Sequence, residues 1–409
     1  MRRALPWIVV SVLVIAGVTA AMYLRPLLTI GASKVLDMFI PLSGAPAPIN
    51  SADMAGSGPG TLLSATTMPG VTSTYDGRGV RAARVVYRST EGDTGAQTIV
   101  SGTVLTPLGT APKGGWPVVG LAHGTLGINN DCGPSSSPTL MNQLPIAKVV
   151  TNLGYAVALP DYQGLGIKGI HPYSDARTAG FNLIDAVRAA RHVFSDVSNR
   201  WAAFGDSQGG GAAWAANEQS AVYAPELNLV GAVASSPAAD ISGLVGKAKA
   251  GTLTAEQRPV VQALIESLAR LHPDLNRDDY RHGGAARYWN VLSSCTGEAL
   301  YKRGVAAAQL GPRDFVPVTP EAADRLQNLL QAWAIPQRPL SAPLYVWYGG
   351  QDPFIDAAWT RAALGRACSM GGTLTIKFDP KGGHNPSEAQ AMIDWMADRF
   401  AGKKVTNDC

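Results

Sequence analysis

Short apolar runs alternate with longer stretches of helical period along most of this chain. Residues 82–87 and 98–105 interleave polar and apolar side chains, the two-residue period of paired antiparallel strands. Residues 117–122, 156–159, 201–204, 229–234, 344–348 and 374–378 are short and continuously apolar, as strands covered on both faces are. Between them, residues 141–152, 176–194, 209–219, 357–369 and 388–400 carry apolar side chains at helical spacing. Strands alternating with helices predict an α/β fold. Its sheet is expected to be mostly parallel and eight-stranded, with the first two strands as an antiparallel lead-in. No internal repeat interrupts the order.

One stretch breaks the alternation. From Ala234 to Leu344, about a hundred residues carry no strand pattern and read instead as helices at 255–271, 285–292 and 320–333. An insertion at about 238–340 would sit over the carboxyl ends of the strands, where open parallel sheets bind ligands. It is expected to be a helical cap; the alternative is a separate helical domain. Its apolar residues Leu244, Val245, Leu264 and Leu271 either line a channel or pack helix on helix. Residues 31–60, rich in Pro, Gly, Ala and Ser toward their end, read as a linker, and 61–409 as the folded domain.

The N-terminus changes the picture of where the chain works. Arg2 and Arg3 precede an uncharged apolar run from Ala4 to Leu24 that Arg25 closes, the form of an export signal. Val18-Thr19-Ala20 offers a small-residue cleavage site, but the run is close to the ~20 residues that span a bilayer. Residues 1–30 are therefore a cleaved signal peptide or a retained signal anchor, and the body is secreted or held at the extracytoplasmic face. Membrane contact would run through this segment. The net charge of +4 is slight and spread along the chain, which gives nucleic acid no footprint. Four cysteines, Cys132, Cys295, Cys368 and Cys409, in an exported chain predict two disulfides with three pairings open. Without a C-x-x-C or Cys/His cluster, no metal or other cofactor is expected.

The candidate chemistry centres on Gly205-Asp206-Ser207-Gln208-Gly209. It follows an apolar strand and opens a helix of small residues, the setting of the nucleophile elbow in α/β-hydrolases. A serine nucleophile needs a base and a carboxylate to orient it, in the chain order Ser, acid, His. Asp352 lies just beyond the strand at 344–348, and of six histidines only His384 follows it. Asp379 is the competing acid, placed at the end of the last strand. The oxyanion hole needs two backbone N–H groups. Gln208, after the nucleophile, supplies one; Thr125 or Gly124, in the turn His123-Gly124-Thr125 after the strand at 117–122, supplies the other. His123 reads as a brace within that turn, and Asp206 as a supporting carboxylate. Gly164-Leu165-Gly166-Ile167-Lys168-Gly169 mimics a dinucleotide fingerprint. However, Pro172 follows too closely for a helix to open there, so no nucleotide site is expected.

These stretches together resemble the secretory lipase family. The carriers are Ala122-His123-Gly124-Thr125, Asp131-Cys132-Gly133-Pro134-Ser135, Pro160-Asp161-Tyr162-Gln163-Gly164-Leu165-Gly166, His171-Pro172-Tyr173 and the elbow through Gly210. The resemblance implies an α/β-hydrolase fold with a helical lid, an extracellular setting and metal-independent catalysis. It implies Ser207 as nucleophile, Asp352 as acid and His384 as base, with disulfides Cys132–Cys295 and Cys368–Cys409. Asp206 departs from the His or Tyr more usual at that elbow position. The expected function is a monomeric serine hydrolase acting on lipid or small ester substrates, a lipase or carboxylesterase. An acyltransferase with the same triad and a non-catalytic lipid-binding protein are the alternatives.

Overall fold

A computed structural model describes residues 44–387 and 389–409, so the expected export segment at 1–30 lies outside the described residues. Among the described residues one nine-stranded sheet runs in the order β1-β2-β3-β5-β4-β6-β7-β8-β9. Its strands are β1 (Leu62–Thr67), β2 (Val80–Thr90), β3 (Gln97–Pro107), β4 (Trp116–Ala122), β5 (Ala156–Pro160), β6 (Val197–Asp206), β7 (Asn228–Ser235), β8 (Leu344–Gly349) and β9 (Leu374–Asp379). The pairs β1–β2, β2–β3 and β3–β5 are antiparallel; every pair from β5 across to β9 is parallel.

The eight-strand expectation is short by β1. That segment, Leu-Leu-Ser-Ala-Thr-Thr, carries no continuous apolar run, and a bulge between Leu62 and Ser64 breaks its alternation. Part of the expected linker also joins this edge. Ile49 donates to Ala65 O and Thr67 donates to Ala47 O, so residues 47–49 run along β1 and cover groups an edge strand would leave open.

The central strands are buried on both faces because helices pack on each side. On one face lie α2 (Ala176–Val193) and α3 (Gln208–Tyr223), with Leu183, Trp201 and Trp214 fully buried among them. On the other lie α1 (Leu144–Asn152) and α10 (Ala389–Phe400), with Leu144, Val150, Met392 and Met396 in the core. Asp175 caps α2, accepting from the N–H groups of Arg177 and Thr178.

The insertion between β7 and β8 carries helices and no strand: α4 (Gly243–Ala250), α5 (Gln257–Leu271), α6 (Gly283–Leu292), α7 (Gly297–Ala307) and α8 (Pro320–Trp333), after which the chain returns to the sheet at β8 and continues into α9 (Ala357–Ser369). It buries its own apolar cluster, including Leu268, Trp289, Phe315, Leu326 and Trp333. Val245 and Leu264 lie in that cluster and Leu271 packs at its edge, whereas Leu244 also reaches the cavity described below. Helix packing accounts for three of these four residues.

Two disulfides close the fold, Cys132–Cys295 and Cys368–Cys409. The first ties the loop after β4 to the insertion, and the second fastens the C-terminus beside β9. Glu266 on α5 is a further anchor. It accepts from Arg270, Arg277 and the indole of Trp289, and Arg270 in turn donates to Ile128 O and Asn129 Oδ1 in the loop after β4. Burial raises the Glu266 pKa, but these hydrogen bonds outweigh it and hold the carboxyl at about 2.

Candidate active site

Ser207 sits between β6 and α3 with φ 57° and ψ −119°, a conformation that costs a non-glycine residue of order 1–3 kcal/mol. Its surroundings hold it there. Ser207 N donates to Ser235 O, and Ser207 O accepts from both Gly211 and Ala238. The flanking glycines are required by space: a Cβ on Gly205 would stand 2.0 Å from Gly209 O, and one on Gly209 would stand 2.0 Å from Ala122 O. Only glycine lets α3 come this close to the end of β4. The first N–H groups of α3, Gln208's among them, are left without intrahelical partners at the positive end of the helix.

Asp352 and His384 come from the loops after β8 and β9. His384 Nδ1 lies 2.7 Å from Asp352 Oδ2, and Asp352 Oδ1 accepts from the backbone N–H groups of Phe354 and Ile355 at 2.8 and 3.1 Å. The carboxylate is thus oriented from both sides, and its side chain is 2% exposed. The two loops are stitched together by Gln351 donating to Gly382 O and by Gly350 donating to Asp379 O. Ser236 Oγ donates to His384 O at 2.6 Å, and Phe354 packs its ring against the imidazole. Asp379, the competing acid, is engaged elsewhere: its Oδ1 accepts from Lys381 N.

Gly124 lies against the elbow, where an added Cβ would be 3.7 Å from Ser207 Cβ. His123 braces this turn from beneath. Burial pushes its imidazole down to about 4, so the ring is neutral, and Nδ1 donates to Gly124 O at 2.7 Å. The N–H of Thr125 lies on the opposite edge of that same trans peptide and is turned away from the ring. Thr125 Oγ1 is 2.8 Å from the Tyr173 hydroxyl, and Tyr173 N donates to Ser267 Oγ on α5. His171, lowered to about 3 by burial, donates from Nδ1 to Gln163 O and accepts from the Gln208 amide at Nε2. The His171-Pro172-Tyr173 stretch therefore links the cap, the Thr125 turn and Gln208. Its sequence signal was visible, but its role was not.

Ser207, His384, Gly124, Thr125 and Gln208 line the floor of one cavity of about 460 Å³, which Leu244, Val260, Ala263 and Arg303 line from the cap. Asp206 also lines it. Burial raises the Asp206 pKa, an effect the His384 charge partly offsets, and its Oδ1 is buried without a hydrogen-bond partner. Sequence reasoning missed Phe354 and Arg303. Nothing in the residue pattern pointed to the first, and α7, which carries the second, was not read as a helix.

A strand order of this kind, with a serine at the strained turn after the central strand and an Asp–His pair on the following loops, defines an α/β-hydrolase. The chain matches the secretory lipase family over residues 134–408, and it belongs to that family. Membership in a secretory family implies an extracellular protein. The chain is 27% identical over 354 residues to a Mycobacterium tuberculosis protein named a probable inactive lipase, covering 80% of this chain and 75% of that one. It is 27% identical over 290 residues to a probable trichothecene esterase of Stachybotrys chartarum, covering 63% of this chain but only 56% of that relative. Candida antarctica lipase A in its closed state superposes with a TM-score of 0.68 at 17% identity, over 91% of this chain and 88% of that one. No helix among the described residues is long and apolar enough to cross a membrane.

Proposed function

We propose that this protein is an exported serine ester hydrolase that cleaves acylglycerols or other carboxylic esters through an acyl-enzyme on Ser207. The observation that carries the reading is the 2.7 Å Asp352–His384 contact, opening on the same cavity as a serine held at φ 57°. An ionised Asp352 keeps the imidazole proton on Nδ1, which leaves Nε2 free to act as base. His384 takes the Ser207 proton as Oγ attacks the ester carbonyl. The tetrahedral oxyanion is received by the N–H groups of Gln208 and Thr125 at the positive end of α3. His384 then protonates the leaving alcohol and activates the water that frees the acid. No residue in this scheme requires a metal or cofactor. The chain acts as a monomer outside the cytoplasm, released from or anchored by its first 30 residues.

Because the Mycobacterium tuberculosis relative is named probable inactive, the test has to read the nucleophile directly. The folded ectodomain is treated with a fluorophosphonate and the modified residue mapped, alongside ester hydrolysis by wild type and Ser207→Ala. Labelling at Ser207, with hydrolysis lost in the variant, is expected. Absence of labelling in the folded protein would instead favour a lipid-binding protein that keeps the fold.

A further inference from the structure

The cavity is mostly apolar on its cap side, with one cation among the lining residues. Arg303 stands on α7, half-buried, and lines the same cavity as Ser207 and His384. Its one hydrogen bond among the described residues runs from Nη1 to Ser294 O at 3.2 Å, and no carboxylate of those residues lies within ion-pair distance of it. Several other partly buried arginines of this chain are paired. Arg188 meets Asp185 and Glu226, Arg270 and Arg277 share Glu266, and Arg366 meets Asp240. Arg84, Arg258 and Arg399, like Arg303, have no carboxylate partner among the described residues, but each makes two hydrogen bonds to protein oxygens away from the cavity. Burial without a counter-charge costs free energy, and it pulls the Arg303 guanidinium pKa down. One of its five N–H donors braces the Ser294 carbonyl, which leaves the others for whatever occupies the cavity.

The position is specific as well as the charge. The Arg303 charge acts on Tyr173, whose hydroxyl is 2.8 Å from Thr125 Oγ1. The cation therefore flanks the Thr125 side of the site. The carboxylate among the buried-side lining, Asp206, is beside the nucleophile, and Glu256 at the other cap helix is exposed. A neutral triacylglycerol would offer the Arg303 donors only uncharged ester oxygens and no counter-charge.

We propose that the ester lodged in this cavity carries an anionic group, a carboxylate or a phosphate, at the end that lies under the cap, and that Arg303 binds it. Arg303 is then a specificity-determining residue. This rests on the hydrolase reading for its turnover but not for its binding, so the two are tested separately.

Binding is measured first, in Ser207→Ala, by calorimetry with suberate and with its neutral dimethyl ester. Turnover is then compared for an ω-carboxylate ester and its ω-methyl-ester isostere, with the charge placed on the acyl side in one pair and on the alcohol side in another. A glycerol phosphate butyrate ester serves as the phosphate arm. Wild type is expected to favour the anionic member by about tenfold to a hundredfold, the range of a hydrogen bond to a charged group. The preference should disappear in Arg303→Met and survive in part in Arg303→Lys, with thermal unfolding checking that each variant is folded. Equal handling of charged and neutral members in every pair, or a preference that survives Arg303→Met, overturns the inference. Anion binding that depends on Arg303 in a protein that turns over no ester would sink the hydrolase reading and leave this one standing.

Discussion

Replacing Asp352 by asparagine separates the carboxylate's charge from its shape, and the geometry fixes the outcome. Oδ1 of Asp352 accepts from two backbone N–H groups, at 2.8 Å from Phe354 and 3.1 Å from Ile355, while Oδ2 faces His384 Nδ1 at 2.7 Å. An asparagine in this position has one oxygen and one NH2. Turning the NH2 toward the backbone would forfeit two hydrogen bonds of about 1 kcal/mol each and oppose donor to donor. The oxygen therefore stays on the backbone, and the NH2 must face the imidazole. That forces Nδ1 to accept, which moves the ring proton to Nε2, where the base is needed. A triad with the wrong tautomer loses about 10⁴ in kcat, or about 5.5 kcal/mol of transition-state stabilisation. Alanine at the same place removes the charge but imposes no donor, so Asp352→Ala should lose less than Asp352→Asn. The assay is kcat/KM on a chromogenic ester at fixed pH, with fluorophosphonate labelling to report the fraction of folded, addressable Ser207. Asparagine activity within about tenfold of wild type, or an equal loss in Asp379→Asn, would refute this reasoning.

Three further outcomes follow from packing and charge. Gly209→Ala would set a Cβ 2.0 Å from Ala122 O, whereas Gly304→Ala meets nothing within 4 Å; the first should destabilise by roughly 3 kcal/mol or more and the second should not, by urea denaturation. Glu266→Gln should loosen the cap. The carboxyl is lowered to about 2, so its contribution is present above the ordinary value of 4.5 and is lost as pH falls toward 2; the variant should lose up to about 3 kcal/mol at neutral pH and converge on wild type in acid. Glu218 has the opposite sign. It is 2% exposed, and burial pushes it up to about 7, so the folded state keeps a proton that the unfolded chain has lost above 4.5. Wild type should therefore lose stability as pH rises from 4.5 through 7, and Glu218→Gln should remove that slope, gaining about 2–3 kcal/mol at pH 8 with little change at pH 4.

The sheet was legible where both faces are covered. β4, β5 and β8 are apolar residue after residue because helices lie above and below them, and their patterns needed no neighbour to interpret. β1 was not legible because an edge strand is held by backbone pairing, which leaves no composition signal in Leu-Leu-Ser-Ala-Thr-Thr. The cap was half legible. Amphipathic α5 and α8 stood out, but α4 (Gly243–Ala250) is short, with two glycines and two lysines. α7 (Gly297–Ala307) exposes Leu300, Tyr301 and Val305. A helix that leaves apolar residues in solvent does not show the single stripe from which helices are read.

The site divides along the same line. Ser207, Asp352 and His384 could be picked out because chemistry fixes their order and the fold fixes their place at the ends of strands. Each lies on a segment whose local geometry has few alternatives. The groups that would choose a substrate obey no such order. Phe354 follows Asp352 in an irregular loop, and Arg303 rides on a helix that the pattern did not reveal. The position of each relative to Ser207 is set by contacts from distant parts of the chain: Gln257 Nε2 donates to Phe354 O, and the Cys132–Cys295 bond holds the start of α7 beside the Thr125 side. The proposed triad is thus written locally and read early. Substrate choice, on this reading, would depend on how the cap is tied down, by Arg270 on Ile128, Thr254 on Pro353 and Ser267 on His171. Removing any of these ties is expected to shift the cap wall of the cavity without touching Ser207, Asp352 or His384.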